Sequence, residues 1–207
     1  MTREPSPPWD KRLAAPIVRL LAPTGVHPNV ITTTGLLLGL GAGVMFAIGG
    51  PALVNWAAVL FMVAALADHV DGELARATGK TSEFGHYYDR IAMVIANVAL
   101  FAGIGVGLRH GVLGGWAVIM GVIAGFSVVS IFLIRSKAEK RLGSDIVRHD
   151  AFAGFEMEDA LYLIGPVTWL GALTPFLVAA AIGAPAFLLL TFWQTRRGKS
   201  VTAAWWR

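Results

Sequence analysis

Long apolar runs constrain the fold of this chain more than any other feature. A helix needs roughly 20 apolar residues to cross a bilayer core about 30 Å thick. The sequence is 56% hydrophobic and 14% charged, too apolar for a soluble domain of 207 residues. We therefore expect an all-α integral membrane protein with six transmembrane helices, forming a single membrane domain over residues 1–207. The helices are predicted at approximately 31–49, 52–76, 86–108, 112–134, 157–173 and 175–194.

The segment before the first apolar run has a different character. Residues 9–22 alternate apolar side chains with charged ones, including Asp10, Lys11, Arg12 and Arg19. A signal peptide would have an uninterrupted apolar centre. The pattern predicts an amphipathic helix that lies in the membrane interface.

Basic residues indicate the orientation in the membrane. Most of the 17 lysines and arginines lie before helix 1, between helices 2 and 3, between helices 4 and 5, or after helix 6, and all of these segments share one side. Arg109 lies in a loop on the opposite side. We expect both termini and the 2–3 loop to face the cytoplasm, in the cell membrane. The basic residues form no patch with interleaved aromatics, so nucleic acid is not an expected partner.

Carboxylates stand at the junction of the second and third predicted helices. Asp68 and Asp71 share one helix face with Ala75, Asp89 opens the next apolar run, and His69 is expected off this face. Ionisable groups at membrane depth are costly and usually functional. Their hard oxygens suit Mg²⁺ or Mn²⁺. The alternative is a structural ion network with the neighbouring basic residues Arg76, Lys80 and Arg90.

The same stretch resembles the signature of the CDP-alcohol phosphotransferase family, an Asp-x2-Asp-Gly-x2-Ala-Arg element followed by Gly-x3-Asp-x3-Asp. The matching residues are Asp68, Asp71, Gly72, Ala75, Arg76, Gly85 and Asp89. The resemblance implies an enzyme of phospholipid biosynthesis. It would transfer a substituted phosphate from a CDP-linked lipid, CDP-diacylglycerol, to an alcohol acceptor and release CMP. It also implies a homodimer, and Mg²⁺ or Mn²⁺ held by the three aspartates.

The resemblance further implies a set of donor-binding residues. Gly72 and Ala75 would leave room for the nucleotide against the helix, and Arg76 would contact phosphate. Gly85 belongs to the same motif. Asn29 and Thr32 lie in a segment similar to one that precedes the first helix in family members, although Asn and Thr at a helix N-terminus also act as caps. The predicted donor site therefore comprises Asn29, Thr32, Gly72, Ala75, Arg76 and Gly85.

One position departs from the family pattern. Met93 replaces the final Asp, which in the family is a metal ligand and the presumed general base. A thioether performs neither role with hard cations. His86, three residues before Asp89, is the candidate substitute base, with a bonded interfacial histidine as the alternative. Otherwise the protein binds a CDP-linked lipid without turnover, or carries an inactivating substitution.

Candidate acceptor-binding residues lie near helices 4 and 5. Arg135 and Lys137 end the fourth helix and could hold a phosphorylated acceptor, while Glu158 and Asp159 open the fifth and could bond a polyol or a cationic acceptor. Membrane topology alone would also explain the basic residues. The helix dipole would likewise explain acids at a helix N-terminus.

Overall fold

The computed structural model describes residues 9–142 and 161–196. Both ranges are helical and contain no β-strand, which confirms the expected all-α class. Short 3₁₀ turns follow the first and fourth helices at Ala22–Thr24 and Leu108–His110. The α-helices of these two ranges are α1 (Trp9–Leu21), α2 (Pro28–Ile48), α3 (Pro51–Thr78), α4 (Glu83–Gly107), α5 (Trp116–Leu142), α6 (Ile164–Trp169) and α7 (Leu173–Arg196).

Five segments in the described ranges are long and apolar enough to cross a membrane. They are Pro28–Ile48, Pro51–Thr78, Glu83–His110, Trp116–Ile134 and Leu173–Trp193. The remaining predicted span, 157–173, begins outside the described residues. Its described part holds a 3₁₀ turn at 161–163 and the short α6, which ends at Trp169. The count of six spans and the cytoplasmic orientation of the termini stay predictions.

A short connection places the ends of α3 and α4 side by side. Gly79, in the left-handed region with φ of 67°, ends α3, since glycine adopts that conformation without strain. Ser82 then caps α4 by accepting a hydrogen bond from the backbone N–H of Gly85 at 3.0 Å. The turn therefore brings the acidic end of α3 and the start of α4 to the same membrane level.

Glycines bring α2 close to its neighbours. α2 packs against both α3 and α4, while α5 contacts α4 and α7. Gly39 and Gly43 of α2 face Ala96 and Ala99 of α4, and a Cβ added at Gly43 would lie 2.6 Å from the carbonyl oxygen of Ala99. Small residues permit this approach of two backbones in a membrane helix pair. The contact fixes which face of α4 turns toward α2 and α3.

α1 packs on the same end of the molecule as the acidic residues. Its Ala14 and Val18 are buried against Val70 and Leu74 of α3. Arg19 on the opposite side is exposed. The helix thus has an apolar buried face and a charged outer face, and its location at a membrane surface stays a prediction.

Candidate active site

A hydrogen bond between α2 and α3 organises the site. Asp71 is buried, with 4% of its surface exposed, and one of its carboxylate oxygens accepts a hydrogen bond from the hydroxyl of Thr32. Thr32 is itself 6% exposed. The cap of α2 is His27, whose Nδ1 accepts from the backbone N–H of Asn29 at 3.2 Å. The side chain of Thr32 therefore supports Asp71 and does not cap the helix.

A cavity of about 240 Å³ opens beside this bond, between α2, α3 and α4. Asp68, Asp71 and Asp89 all line it, so the structure brings the three predicted metal ligands to one cavity. Met93 and Asn97 continue the same stripe of α4 along its wall. Phe132 of α5 and residues 161–162 line it from the other side. Its remaining walls are mainly apolar.

A second cavity, of about 110 Å³, lies on the loop side of the same carboxylates. Thr32, Asp71 and Asp89 line both cavities and stand at their junction. The predicted donor-binding residues that line the smaller cavity are Asn29, Thr32, Gly72, Ala75, Arg76 and Gly85. The chain thus gathers the whole predicted donor set, from three helices, around one space.

The carboxylate oxygens at the junction of the two cavities suit a divalent cation as ligands. Asp89 Oδ1 is buried, and within the described ranges it has no hydrogen-bond partner. Unpartnered buried carboxylate oxygens are unfavourable without a compensating charge or donor. Over those same ranges, however, no three His, Asp or Glu side chains stand close enough together to hold one ion. The residues therefore fit a hard cation chemically, but the three carboxylates do not form a closed ligand set in this conformation.

The neighbouring basic residues contact other groups. Arg76 pairs with Glu73 at 2.9 Å, Lys80 donates to Gly25 O at 2.8 Å, and Arg90 donates to His86 at 3.2 Å. These contacts direct the three cations away from Asp71 and Asp89. The alternative of an ion network that consumes those two carboxylates gains no support.

His86 lies on the loop side of the site. It is exposed and lines the smaller cavity, whereas Met93 lines the larger one. Its Nε2 lies 3.2 Å from a guanidinium nitrogen of Arg90, and since arginine only donates, Nε2 must be the acceptor. The role of His86 as substitute base stays a prediction, and this arrangement does not favour it.

His69 and Asn97 are polar residues of the larger cavity that were not part of the sequence-based site. His69, expected off the acidic face, lines the same cavity as Asp68 and Asp71, because the cavity wraps around α3. Its Nδ1 lies 2.9 Å from Ala65 O. Asn97 was not predicted, although its spacing of eight residues from Asp89 on one helix face is the pattern that could have indicated it.

Only part of the predicted acceptor-binding set lies among the residues that the structure describes. Lys137 is exposed near the end of α5. Arg135 belongs to the same helix, but its side chain is not among those described. Glu158 and Asp159 lie outside the described residues. All four assignments stay predictions.

Sequence comparison links the chain to lipid-synthesising enzymes. An archaetidylinositol phosphate synthase from Pyrococcus horikoshii is 36% identical over 91 residues, 44% of this chain and 47% of that relative. A phosphatidylinositol phosphate synthase from Mycolicibacterium smegmatis is 31% identical over 94 residues, 45% and 41% of the two chains. A CDP-diacylglycerol–glycerol-3-phosphate 3-phosphatidyltransferase from Cereibacter sphaeroides is 38% identical over 80 residues, 37% and 36% of the two chains. Each match covers less than half the relative's length.

Solved structures share the fold over nearly the whole chain. The crystal structure of Mycobacterium tuberculosis phosphatidylinositol phosphate synthase with CDP-DAG bound superimposes with a TM-score of 0.66 at 23% identity, covering 92% of this chain and 94% of that one. The same synthase in complex with manganese and citrate gives a TM-score of 0.61, also at 23% identity, covering 87% and 88% of the two chains. The family model for CDP-alcohol phosphatidyltransferases matches residues 25–193, which contain every described element of the candidate site. The chain belongs to the CDP-alcohol phosphatidyltransferase family.

Proposed function

We propose that this protein transfers a phosphatidyl group from CDP-diacylglycerol to an alcohol acceptor and releases CMP. The observation that carries the proposal is the junction of the two cavities at Asp71 and Asp89. On the loop side the smaller cavity is lined by the predicted donor residues. On the other side the larger cavity extends beneath the carboxylates between the helices. A donor and an acceptor can therefore meet at one pair of carboxylates.

The reaction is a displacement at phosphorus. The acceptor hydroxyl oxygen forms a bond to the phosphorus that carries the diacylglycerol, and the bond from that phosphorus to the bridging oxygen of CMP breaks. CMP leaves with the electron pair, and the hydroxyl proton passes to a base. We assign this proton to Asp89, because that residue lines both cavities, whereas His86 lines only the smaller one of the two.

Asp68, Asp71 and Asp89 would hold Mg²⁺ or Mn²⁺. A bound divalent cation would stabilise the negative charge of the phosphates during displacement. Thr32 would hold the Asp71 carboxylate in one orientation, as hydrogen-bonded partners of metal ligands commonly do. Arg76, which lines the smaller cavity and pairs with Glu73, would contact the donor phosphates.

A second candidate function is binding of a CDP-linked lipid without turnover. The observation that favours it is Met93, which lines the larger cavity one turn beyond Asp89 and presents a thioether there. Loss of a general base lowers rates by roughly 10²- to 10⁴-fold when nothing replaces it. The two functions differ in CMP release and agree in donor binding.

The membrane setting forms part of the proposal. The distribution of basic residues supports cytoplasmic termini and an active site that faces the cytoplasm, in the cell membrane. There a soluble acceptor and a membrane-held donor would reach the site together. We also propose six spans, which the apolar runs of the sequence support, and a homodimer, which the family resemblance supports.

The decisive experiment measures CMP release by the purified protein in lipid vesicles that contain CDP-diacylglycerol. The assay contains Mg²⁺ or Mn²⁺ and one acceptor at a time from glycerol phosphate, inositol, inositol phosphate and serine. Asp71→Asn is the blank. Glu83→Gln removes a carboxylate from the first turn of α4 outside both cavities and is the matched control.

We expect acceptor-dependent CMP release in the wild type and in Glu83→Gln, and its loss in Asp71→Asn and after chelation of the metal. Metal-dependent binding of CDP-diacylglycerol with no CMP release from any acceptor would favour the binding function. If the protein neither binds CDP-diacylglycerol nor releases CMP, both candidate functions are contradicted. The unfolding temperature of each variant in detergent confirms that a loss is not due to misfolding.

A further inference from the structure

Asn97 lines the larger cavity and carries a buried hydrogen-bond acceptor that the described part of the protein leaves unused. The side chain is 3% exposed, and its Nδ2 donates to the carbonyl oxygen of Met93 at 2.9 Å. Because a carbonyl only accepts, the atom that faces it must be nitrogen, which settles the orientation of the amide. The other atom, Oδ1, is buried and has no hydrogen-bond partner in the described part of the chain. A free carbonyl oxygen therefore remains for a group in the cavity.

The position of Asn97 defines the inner end of the cavity. Asp89, Met93 and Asn97 follow one another at intervals of four residues on one face of α4. Each interval advances about 6 Å along a helix, so Asn97 stands roughly 12 Å beyond Asp89. It is too far from Asp89 to share one cation with it, because metal–oxygen distances are about 2.0–2.6 Å. Asn97 therefore contacts a different part of whatever occupies the cavity.

The chemistry of the wall selects the kind of ligand. An amide oxygen accepts hydrogen bonds, so its partner must be a donor such as a hydroxyl, an N–H group or water. The charged side chains that line the described wall are the carboxylates of Asp68, Asp71 and Asp89, and within those residues neither Lys nor Arg contributes. With those carboxylates holding a cation, as proposed above, the described wall around Asn97 carries no acidic or basic side chain of Asp, Glu, Lys or Arg, and hydroxyl groups enter such a space at lower cost than a phosphate does. The volume of about 240 Å³ equals roughly eight water molecules at about 30 Å³ each, which is room for a small polyol.

We propose that Asn97 is a specificity-determining residue that accepts a hydrogen bond from a non-reacting hydroxyl of a polyol acceptor. The inference rests on the proposed function and adds to it the class of acceptor and its direction in the site. The polyol enters the larger cavity with its hydroxyl-bearing body toward Asn97. Its reacting hydroxyl stands nearer the carboxylates, and any phosphate it carries remains outside the cavity.

The test compares Asn97→Leu with the wild type, using inositol phosphate and its monodeoxy analogues in the CMP-release assay. Leucine has a similar volume and removes the oxygen. Thr168→Val is the matched control, since Thr168 is also buried, donates to the carbonyl of Ile164 at 2.7 Å, and lines no part of the larger cavity. We expect Asn97→Leu to raise the acceptor KM about tenfold with the KM for CDP-diacylglycerol unchanged.

For the wild type and for Thr168→Val, one deoxy analogue should be about tenfold poorer as an acceptor than inositol phosphate. For Asn97→Leu, that analogue and inositol phosphate should be equally effective acceptors. That coupling identifies the hydroxyl bound by Asn97, and a purely structural role would not produce it. If each deoxy analogue loses the same acceptor activity with Asn97→Leu as with the wild type, Asn97 faces only water and the proposal is wrong. Equal increases in the KM for donor and acceptor would contradict it as well.

Failure of the proposed function is distinguishable from failure of this inference. If the wild type releases no CMP, acceptor binding is measured instead. The measurement is the rise of the unfolding temperature with increasing concentration of inositol phosphate or inositol. A concentration-dependent rise in the wild type and in Thr168→Val that is absent in Asn97→Leu supports the polyol site without turnover. The absence of a rise in all three proteins overturns it.

Discussion

Thr32 of α2 donates a hydrogen bond to Asp71 of α3, across 39 residues of sequence, where the two cavities of the site meet. The bond holds one oxygen of the Asp71 carboxylate in place. Both residues are almost fully buried, and the carbonyl oxygen of Pro28, the other acceptor near this hydroxyl, lies farther away at 3.3 Å. The orientation of the central carboxylate is therefore determined by a residue of a different helix.

Thr32→Val should weaken the response to metal without unfolding the protein. Valine keeps the shape and removes the hydrogen bond, so the Asp71 carboxylate loses its fixed orientation. Removing such outer partners of metal ligands commonly lowers affinity or activity by 10- to 100-fold. We expect the Mg²⁺ concentration for half-maximal CMP release to rise by about that factor, measured by titration with the metal.

The matched control is Thr34→Val. Thr34 lies on the same helix, is exposed, and donates to the carbonyl of Val30 at 2.8 Å. Thr34→Val removes an equivalent hydroxyl at a position away from both cavities. The metal titration of this variant should therefore overlay that of the wild type. An equal shift in both variants would show that Thr32 acts only through the stability of α2.

Met93→Asp should increase turnover. The substitution restores a carboxylate to the wall of the larger cavity, one turn beyond Asp89, where it can accept the proton of the acceptor hydroxyl. General-base catalysis contributes roughly 10²- to 10⁴-fold. Because Asp89 is proposed to hold the metal as well as to take the proton, it replaces the lost base only in part, and we expect an increase at the lower end of this range, about 10²-fold, in the rate of CMP release. The measurement is the single-turnover rate at saturating donor, acceptor and Mg²⁺.

Val94→Asp places the same charge on the adjacent residue of α4, away from the larger cavity. It should not increase the rate. A similar gain in both variants would attribute the effect to charge near the membrane surface and not to a restored base. A slower Met93→Asp enzyme would show that another group already serves as the base.

The acidic motif predicted the centre of the site because its spacing is local. Asp68 and Asp71 lie on one helix, and Asp89 follows a turn of four residues, so helix geometry alone places them near each other. The partner of Asp71 could not be predicted with the same certainty, since Thr32 meets it through the packing of α2 on α3. His69 shows the limit of the face argument, because a cavity that curves around α3 contacts more than one face.

The helix boundaries show a similar division. The start of α2 at Pro28 and the end of α3 before Gly79 follow from proline and glycine signals in the sequence. α5 extends to Leu142, eight residues beyond the predicted end of its apolar run at residue 134. The apolar run of a membrane helix ends at the membrane boundary, whereas the helix itself continues as long as its backbone hydrogen bonds are formed. Apolar length therefore predicted the spans better than the helices.

Gly43→Ala should destabilise the protein, because a Cβ there would lie 2.6 Å from the carbonyl oxygen of Ala99. The backbones of α2 and α4 must separate to admit the methyl group, and overpacking of this kind costs about 1–3 kcal/mol. We expect a fall of several degrees in the unfolding temperature in detergent. Gly41→Ala is the control, since its Cβ would meet the side chain of Leu60 at an ordinary 3.6 Å. Equal stability of the two variants would contradict the close contact.

His86→Gln should reduce CMP release by less than about fivefold, in contrast to the 10²-fold or greater loss expected for a general base. His86 accepts from Arg90 through Nε2 and borders only the donor side of the junction, so glutamine retains an acceptor for that contact. The informative measurement is the single-turnover rate together with the KM for CDP-diacylglycerol. A small rise in the donor KM at a nearly constant rate would place His86 beside the donor. A rate loss near 10²-fold, with normal donor binding and an unchanged unfolding temperature, would instead establish His86 as the base that compensates for Met93.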